Sequence, residues 1–154
     1  MKKYFFSFFV FFFAFCCLGV SFAEENLMIS QTTAIRAGKL TFQLPSGFQK
    51  DNVMYKRKLG EYKFDSVQIK AYPKDPNYSD EQAMDSLKGN CSVVGKLEEI
   101  NVNGKKVLFV NPSSGAYAYF CENGMLYNII YVNIFDNDYN SAKSFIMNII
   151  RTAR

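Results

Sequence analysis

The sequence predicts an α+β layered domain built on a mainly antiparallel central sheet of about six to seven strands covered by helices. Two strand pairs flank the turn residues Asn103-Gly104 and Asn123-Gly124, which is the strongest short-range signal for antiparallel hairpins. Two further segments have helical periodicity. Residues 125–134 are largely apolar on both strand faces, so we expect both faces of this strand to be covered.

The first 23 residues predict a secretory signal. Lys2 and Lys3 precede a long uncharged run rich in phenylalanine, and small residues at Ser21 and Ala23 place the cleavage after Ala23. Residues 4–23 are also long enough to span a bilayer, so an uncleaved anchor is the alternative. Cleavage leaves 154 − 23 = 131 residues with a net charge of 16 − 14 = +2. We therefore expect export to the bacterial periplasm or to the outside.

Residues 24–38 form a lead-in with a short strand near 28–35, and residues 39–154 form a single domain. Leu40, Phe42 and Leu44 alternate with polar residues, as expected for a half-buried strand. Further strands are predicted at 53–59 and 62–72. In the last of these the apolar positions change register, which predicts a β-bulge near 65–66.

Two helices are predicted as covers for the sheet. Ser79 and Gln82 have the spacing of a capping box and Gly89 is a natural end, so the first helix covers 80–88. Hairpins follow at 97–102 with 105–110 and at 116–121 with 125–134. Apolar residues then recur at helical spacing and predict a final amphipathic helix that packs on the sheet: Tyr139, Ala142, Phe145, Ile146, Ile149 and Ile150.

Two cysteines remain after the predicted cleavage, Cys91 and Cys121. In an oxidising compartment an isolated pair favours a disulfide, which would tie the first helix to the sheet. The closed loop would contribute about 3.5 kcal/mol in the chain-entropy description. Two buried free thiols or a redox pair are the alternatives, and no C-x-x-C spacing supports the redox pair.

The order of these segments resembles PsbP-like proteins, the small lumenal photosystem II proteins and their bacterial relatives, over most of residues 39–154. The resemblance implies an α-β-α sandwich used for protein binding rather than catalysis, and it does not imply photosynthesis. Phe48 stands where the family often has Trp, and the cysteine pair is not a family feature. The matching segments are Leu44-Pro45-Ser46-Gly47-Phe48, Val102-Asn103-Gly104-Lys105-Lys106, Glu122-Asn123-Gly124-Met125-Leu126-Tyr127, Ser144-Phe145 and Ile149-Ile150-Arg151.

The composition excludes several kinds of chemistry. The chain has no histidine, so it has no Ser-His-Asp triad and no His-ligated zinc. Asp136 and Asp138 match the start of a calcium loop, but Met147 stands where the bidentate glutamate is required. No catalytic, cofactor or metal site is predicted. The small net charge also gives no case for nucleic acid as a partner.

We therefore expect a secreted or periplasmic, non-enzymatic binding or accessory protein whose partner is another protein or an envelope component. Contact with the membrane is expected only through an uncleaved signal segment. A tyrosine patch is the candidate binding surface if the faces of two strands coincide: Tyr117, Tyr119, Tyr127 and Tyr131. The alternative is a carboxylate- or tyrosine-based hydrolase of envelope glycans, using Glu98 or Glu99 with Glu122.

Overall fold

The computed structural model describes residues 32–112, 115–133 and 138–154. The predicted signal segment and its cleavage site lie outside the described residues. Strands and helices follow one another as β1 Thr33–Ala37, β2 Leu40–Leu44, β3 Gln49–Asp51, β4 Met54–Lys58, β5 Phe64–Pro73, α1 Asp80–Ser92, β6 Lys96–Val102, β7 Lys105–Asn111, β8 Ala116–Glu122, β9 Met125–Asn133 and α2 Tyr139–Arg151.

Seven of these strands form one antiparallel sheet in the order β3-β4-β5-β9-β8-β7-β6, and β1 with β2 forms a separate hairpin. The predicted α+β class and antiparallel sheet are confirmed. Asn103 and Gly104 both have positive φ, 52° and 81°, and so do Asn123 and Gly124. Positive φ at both central residues is the type I′ geometry that the right-handed twist of a hairpin favours. The short strand β3 was not predicted.

The main core lies on one face of this sheet, under α2 and the β1–β2 hairpin. In α2 the side chains of Ile146, Ile149 and Ile150 are at most 1% exposed. They meet Phe42 of β2 and Phe120 of β8, both fully buried in the same cluster. The predicted role of the last helix as a cover is confirmed.

The predicted bulge in β5 is absent. The pairing of β5 with β9 runs without interruption from Asp65 opposite Asn133 to Pro73 opposite Met125. The apolar pattern changes register because Asp65 itself occupies a core position with no exposed surface. Its carboxylate accepts two hydrogen bonds from Arg57, with Nη2 at 2.5 Å and Nε at 3.2 Å.

Aromatic rings enclose this buried ion pair. The Arg57 guanidinium lies 4.7 Å from the centre of the Phe48 ring and 5.8 Å from that of Phe145, within cation–π range. The Tyr131 ring packs on Phe145 at 4.3 Å, and its hydroxyl donates to Asp65 over 3.3 Å. The pair therefore joins β4, β5, β9 and α2 at one point.

Helix α1 begins as predicted but does not end at Gly89. Ser79 Oγ accepts from the Gln82 amide and Gln82 Oε1 accepts from the Ser79 amide, so both halves of the capping box are present. The helix continues to Ser92 and carries Cys91 into the protein interior. Burial of this last turn outweighs the low helix propensity of glycine.

Gly89→Ala is expected to stabilise the protein by about 0.5–1 kcal/mol, because it removes backbone freedom from the unfolded chain at a helical position. A Cβ at Gly89 would meet nothing within 4 Å. Urea unfolding monitored by circular dichroism measures the change. Gly95→Ala is the contrasting variant, since its Cβ would lie 2.6 Å from the Asn111 carbonyl oxygen and must destabilise.

The start of α2 is held to the edge strand β6 by charge. Lys143 Nζ donates to Glu98 Oε2, and Lys96 Nζ lies 3.4 Å from Glu98 Oε1. The Tyr139 ring is packed between these groups, 4.2 Å from Lys96 Nζ. The hydrogen bond from Lys143 is the main reason that the pKa of Glu98 falls from 4.5 to about 2.

A folded-state pKa below the unfolded value means that Glu98 stabilises the fold above pH 4.5. This contribution is lost as the pH falls from 4.5 towards 2. We expect Glu98→Gln to flatten the acid side of the stability profile, measured as urea midpoints between about pH 5 and pH 2. Glu61→Gln, at an exposed site without an ion pair among the described residues, is the control and should keep the wild-type slope. If stability falls equally steeply with acid in the two variants, Glu98 is not the source of the pH dependence.

Candidate binding surface

The second face of the sheet is covered on one side only. Helix α1 packs against β6, β7 and β8. Under it, Leu108 and Val110 of β7 are at most 1% exposed. In the same cross-strand rows, Asn128 and Ile130 of β9 are only partly buried. The prediction that both faces of this strand are covered therefore holds fully for the core face, whereas the second face is only partly covered within the described residues.

We call the half of the second face on which α1 does not pack the open face. Its floor is the row of β9 side chains that point away from the main core, and its sides are the neighbouring side chains of β8 and β5. Tyr72 on the β5 side is 47% exposed. The strand pairing places these residues on one surface: Leu126, Asn128, Ile130 and Val132 on β9, Tyr117 and Tyr119 on β8, and Ser66, Gln68, Lys70 and Tyr72 on β5.

The predicted tyrosine patch is divided between the two faces. Tyr117 pairs with Ile130 and Tyr119 with Asn128, so both tyrosines belong to the open face. Tyr127 and Tyr131 alternate with these β9 residues and are buried in the main core, at 0% and 7% exposure. The four side chains therefore do not form one patch. The pairing register of β8 with β9 decides which tyrosines share a face. The spacing of two or four within each strand puts its own two tyrosines on one face but does not say which face that is.

Tyr72 and Lys70 join the open face although neither was predicted to bind anything. Lys70 is opposite Asn128, which is opposite Tyr119, so the three lie in one row across three strands. β5 and β9 are far apart in sequence, and no hairpin turn joins them. Alternation in β5 does indicate that Lys70 and Tyr72 share a face, but not which strand lies beside them.

Positive charge follows the outer side of the open face. Lys56 and Lys58 of β4 lie beside Ser66 and Phe64, at the end of β5 away from Lys70, and continue the surface there; we call Lys56, Lys58 and Phe64 the basic edge. Lys56 pairs with Asp51 at 2.5 Å. Lys58 and Lys70 have no ion-pair partner in the described part of the chain. A cleft of about 420 Å³ at this edge is lined by Gly47, Gln49, Lys50, Asp51, Lys56, Lys58 and Phe64.

A larger cleft of about 540 Å³ lies between the start of α1 and the two hairpin turns, and Asp80, Glu81, Lys105, Lys106 and Glu122 are among its lining residues. Its charges are compensated locally. Lys105 lies 3.4 Å from Glu122, Lys106 lies 3.9 Å from Glu81, and Asp80 pairs with Lys74 outside the lining at 2.9 Å. This cleft therefore presents no excess charge to a ligand.

The predicted disulfide is absent, and Cys91 and Cys121 are both free thiols. Cys121 lies beside Asp80 and Met84 in the first half of α1, where the larger cleft begins. Cys91 follows Met84 by seven residues, which is about 10 Å farther along the helix axis. A disulfide requires Cα atoms within about 7 Å of each other, so the helix places Cys91 too far from Cys121 for a bond.

Cys91 and Cys121 are both expected to be alkylated when the protein is unfolded without reductant, and mass spectrometry of their peptides measures this. In the folded protein the reaction should be slow at neutral pH. Burial raises the pKa of each thiol and so keeps the thiolate fraction small. Recovery of a peptide pair linked through Cys91 and Cys121 would contradict this expectation.

The carboxylates nominated for a hydrolase do not meet in one cleft. Glu98 pairs with Phe109 of the core face, whereas its neighbour Glu99 pairs with Leu108 and points to the opposite face. Glu122 lies at the Asn103-Gly104 end of the sheet. That is about four residues, or roughly 13 Å, from Glu98 along the strands, and two strands across. Glycan hydrolysis needs two carboxyls about 5–10 Å apart, and all three are held by lysines instead.

The described residues also offer no metal site and no membrane-spanning helix. Within residues 32–112, 115–133 and 138–154, no three Cys, Asp or Glu side chains are grouped to hold a metal ion. Asp138, from the calcium-like segment, caps α2 by accepting from the Ser141 amide at 2.7 Å. Neither of the two described helices is long and apolar enough to cross a membrane.

Comparisons of the chain with protein-family models and with curated proteins find no match. The open face is the candidate functional site on its own geometry: three tyrosines and a largely apolar floor, bordered by Lys58 and Lys70, which have no ion-pair partner among the described residues.

Proposed function

We propose that this chain is an exported, non-enzymatic binding or accessory protein that contacts another protein or an envelope component through the open face. The observation that carries the proposal is the half-covered second face. Tyr72, Tyr117 and Tyr119 surround the largely apolar face of β9 there. Tyrosine is enriched in binding surfaces because it is apolar along the ring and polar at the tip.

A PsbP-like sandwich is part of the same proposal. In such a sandwich helices cover both faces of the sheet, and α1 supplies part of the second helical layer. The remaining part of that layer would be contributed by the partner. The predicted secretory signal supports this proposal, because export would bring the chain to a compartment where envelope components are available.

Tyrosines of similar exposure test the proposal. Tyr72 on the open face is 47% exposed, and Tyr78 in the loop before α1 is 51% exposed. Exported protein is used to capture components of an envelope extract, which are then identified by mass spectrometry. Tyr72→Ser should reduce specific capture, whereas Tyr78→Ser should leave it unchanged. Equal capture by the two folded variants, or no specific capture by wild type, would overturn the proposed surface.

Export has its own test. The intact mass of protein from the exported fraction is expected to match a chain that begins at Glu24. Retention of residues 1–23 in the membrane fraction would show an uncleaved anchor instead.

A further inference from the structure

We infer that the open face binds an amphipathic α-helix of a partner protein, with acidic residues along the side of that helix that faces β5 and β4. This inference rests on the proposed function and specifies the partner. The width of the face, the character of its floor and the distribution of its charges support it.

The width matches one helix. Helix α1 packs on β6, β7 and β8, of which β7 is the middle strand. Neighbouring helices pack with their axes about 8–10 Å apart, and strands are spaced by about 4.8 Å. A second helix beside α1 would lie two strands away, over β9. Its length along the floor, from Leu126 to Val132, is about 20 Å, or roughly 13 residues of helix.

The floor suits the apolar side of such a helix. Leu126, Ile130 and Val132 provide three apolar side chains along β9, and the uncharged Asn128 is the one polar residue between them. Tyr117 and Tyr119 form the wall towards α1. Burial raises the pKa of the Tyr119 hydroxyl, which is accordingly a neutral hydrogen-bond donor at physiological pH.

The charges around the open face favour a partner helix that is acidic on one side only. Lys70 borders the middle of the floor opposite Asn128, and Lys56 and Lys58 of the basic edge lie one strand farther out, towards its Val132 end. Asp51 is the acidic residue at this edge and already pairs with Lys56. The β8 side of the floor carries tyrosines and no charge. A helix with Asp or Glu along the flank facing Lys70 is complementary to this pattern, whereas a basic flank would be repelled.

The test uses selection from a display library of helix-forming peptides of about 15 residues against the exported protein. We expect enriched sequences to combine an apolar stripe with spacing i, i+3, i+4, i+7 and acidic residues on one flank. Their binding site, mapped by amide chemical shifts, should be the open face.

Charge reversal then decides between specific and general attraction. Lys70→Glu should weaken the selected acidic peptide by about tenfold, and the same peptide with Glu replaced by Lys should recover binding to this variant. Arg36→Glu changes the charge equally at an exposed site on the β1–β2 hairpin and should have little effect. Equal losses for the two variants would overturn the inference.

The remaining outcomes separate the two proposals. If envelope capture depends on Tyr72 but no acidic helical peptide is enriched, the binding function stands and the helical partner is refuted. Binding to vesicles of phosphatidylcholine and phosphatidylglycerol that depends on Tyr72 and Lys70, without peptide enrichment, would likewise replace the helix by a lipid surface. If the enriched peptides map outside the open face, the inference fails as well.

Discussion

Asp65→Ala is expected to destabilise the protein by about 3–5 kcal/mol, the range found when one partner of a buried ion pair is removed. The Asp65 side chain has no exposed surface, and the Arg57 side chain is 26% exposed. Without the carboxylate, the guanidinium stays between Phe48 and Phe145 with no anion to balance it. Denaturant unfolding followed by tyrosine fluorescence gives the free energy of unfolding.

A double variant distinguishes loss of the charge pair from loss of packing volume. Asp65→Leu combined with Arg57→Met removes both charges and fills the space with apolar atoms. Such replacements are often close to neutral, so we expect the double variant to be more stable than Asp65→Ala. If Asp65→Ala unfolds at the wild-type denaturant concentration, the ion pair does not support the junction of β4, β5, β9 and α2.

Shortening a buried side chain of the last helix should have an effect of similar size on the free energy of unfolding. Ile149 is 1% exposed, and Ile149→Ala leaves a cavity between α2 and the sheet. The expected cost is about 2–5 kcal/mol, the usual range for a buried isoleucine. Ser144→Ala, at an exposed position of the same helix, should change the free energy of unfolding by less than about 0.5 kcal/mol. A wild-type melting curve for Ile149→Ala would mean that α2 does not cover the core.

Features with a local cause could be predicted from the sequence. The two Asn-Gly turns fix the backbone within four residues, so both hairpins and their strand bounds follow to within one or two residues. The capping box at Ser79 and the apolar spacing of α2 are also local signals. These elements are sufficient for the α+β class.

Features that depend on distant partners could not be predicted. Asp65 at a core position looked like a break in the strand pattern, because its partner Arg57 is on another strand. The division of the tyrosines depended on the register of two strands. Gly89 looked like a helix end, since the burial of Cys91 cannot be inferred from the helix alone. The open face was missed for the same reason: it exists only where α1 stops covering the sheet.

The pairing of β5 with β9 has a consequence for how quickly the chain folds. The strands β6 to β9 are joined by short connections, and they can form in sequence as local hairpins. Residues paired between β5 and β9 are 52 to 68 positions apart, from Pro73 with Met125 to Asp65 with Asn133. Closing a loop of this length costs conformational entropy before any contact repays it. We therefore expect the meander of β6 to β9 to form early and the docking of β3 to β5 to limit the folding rate.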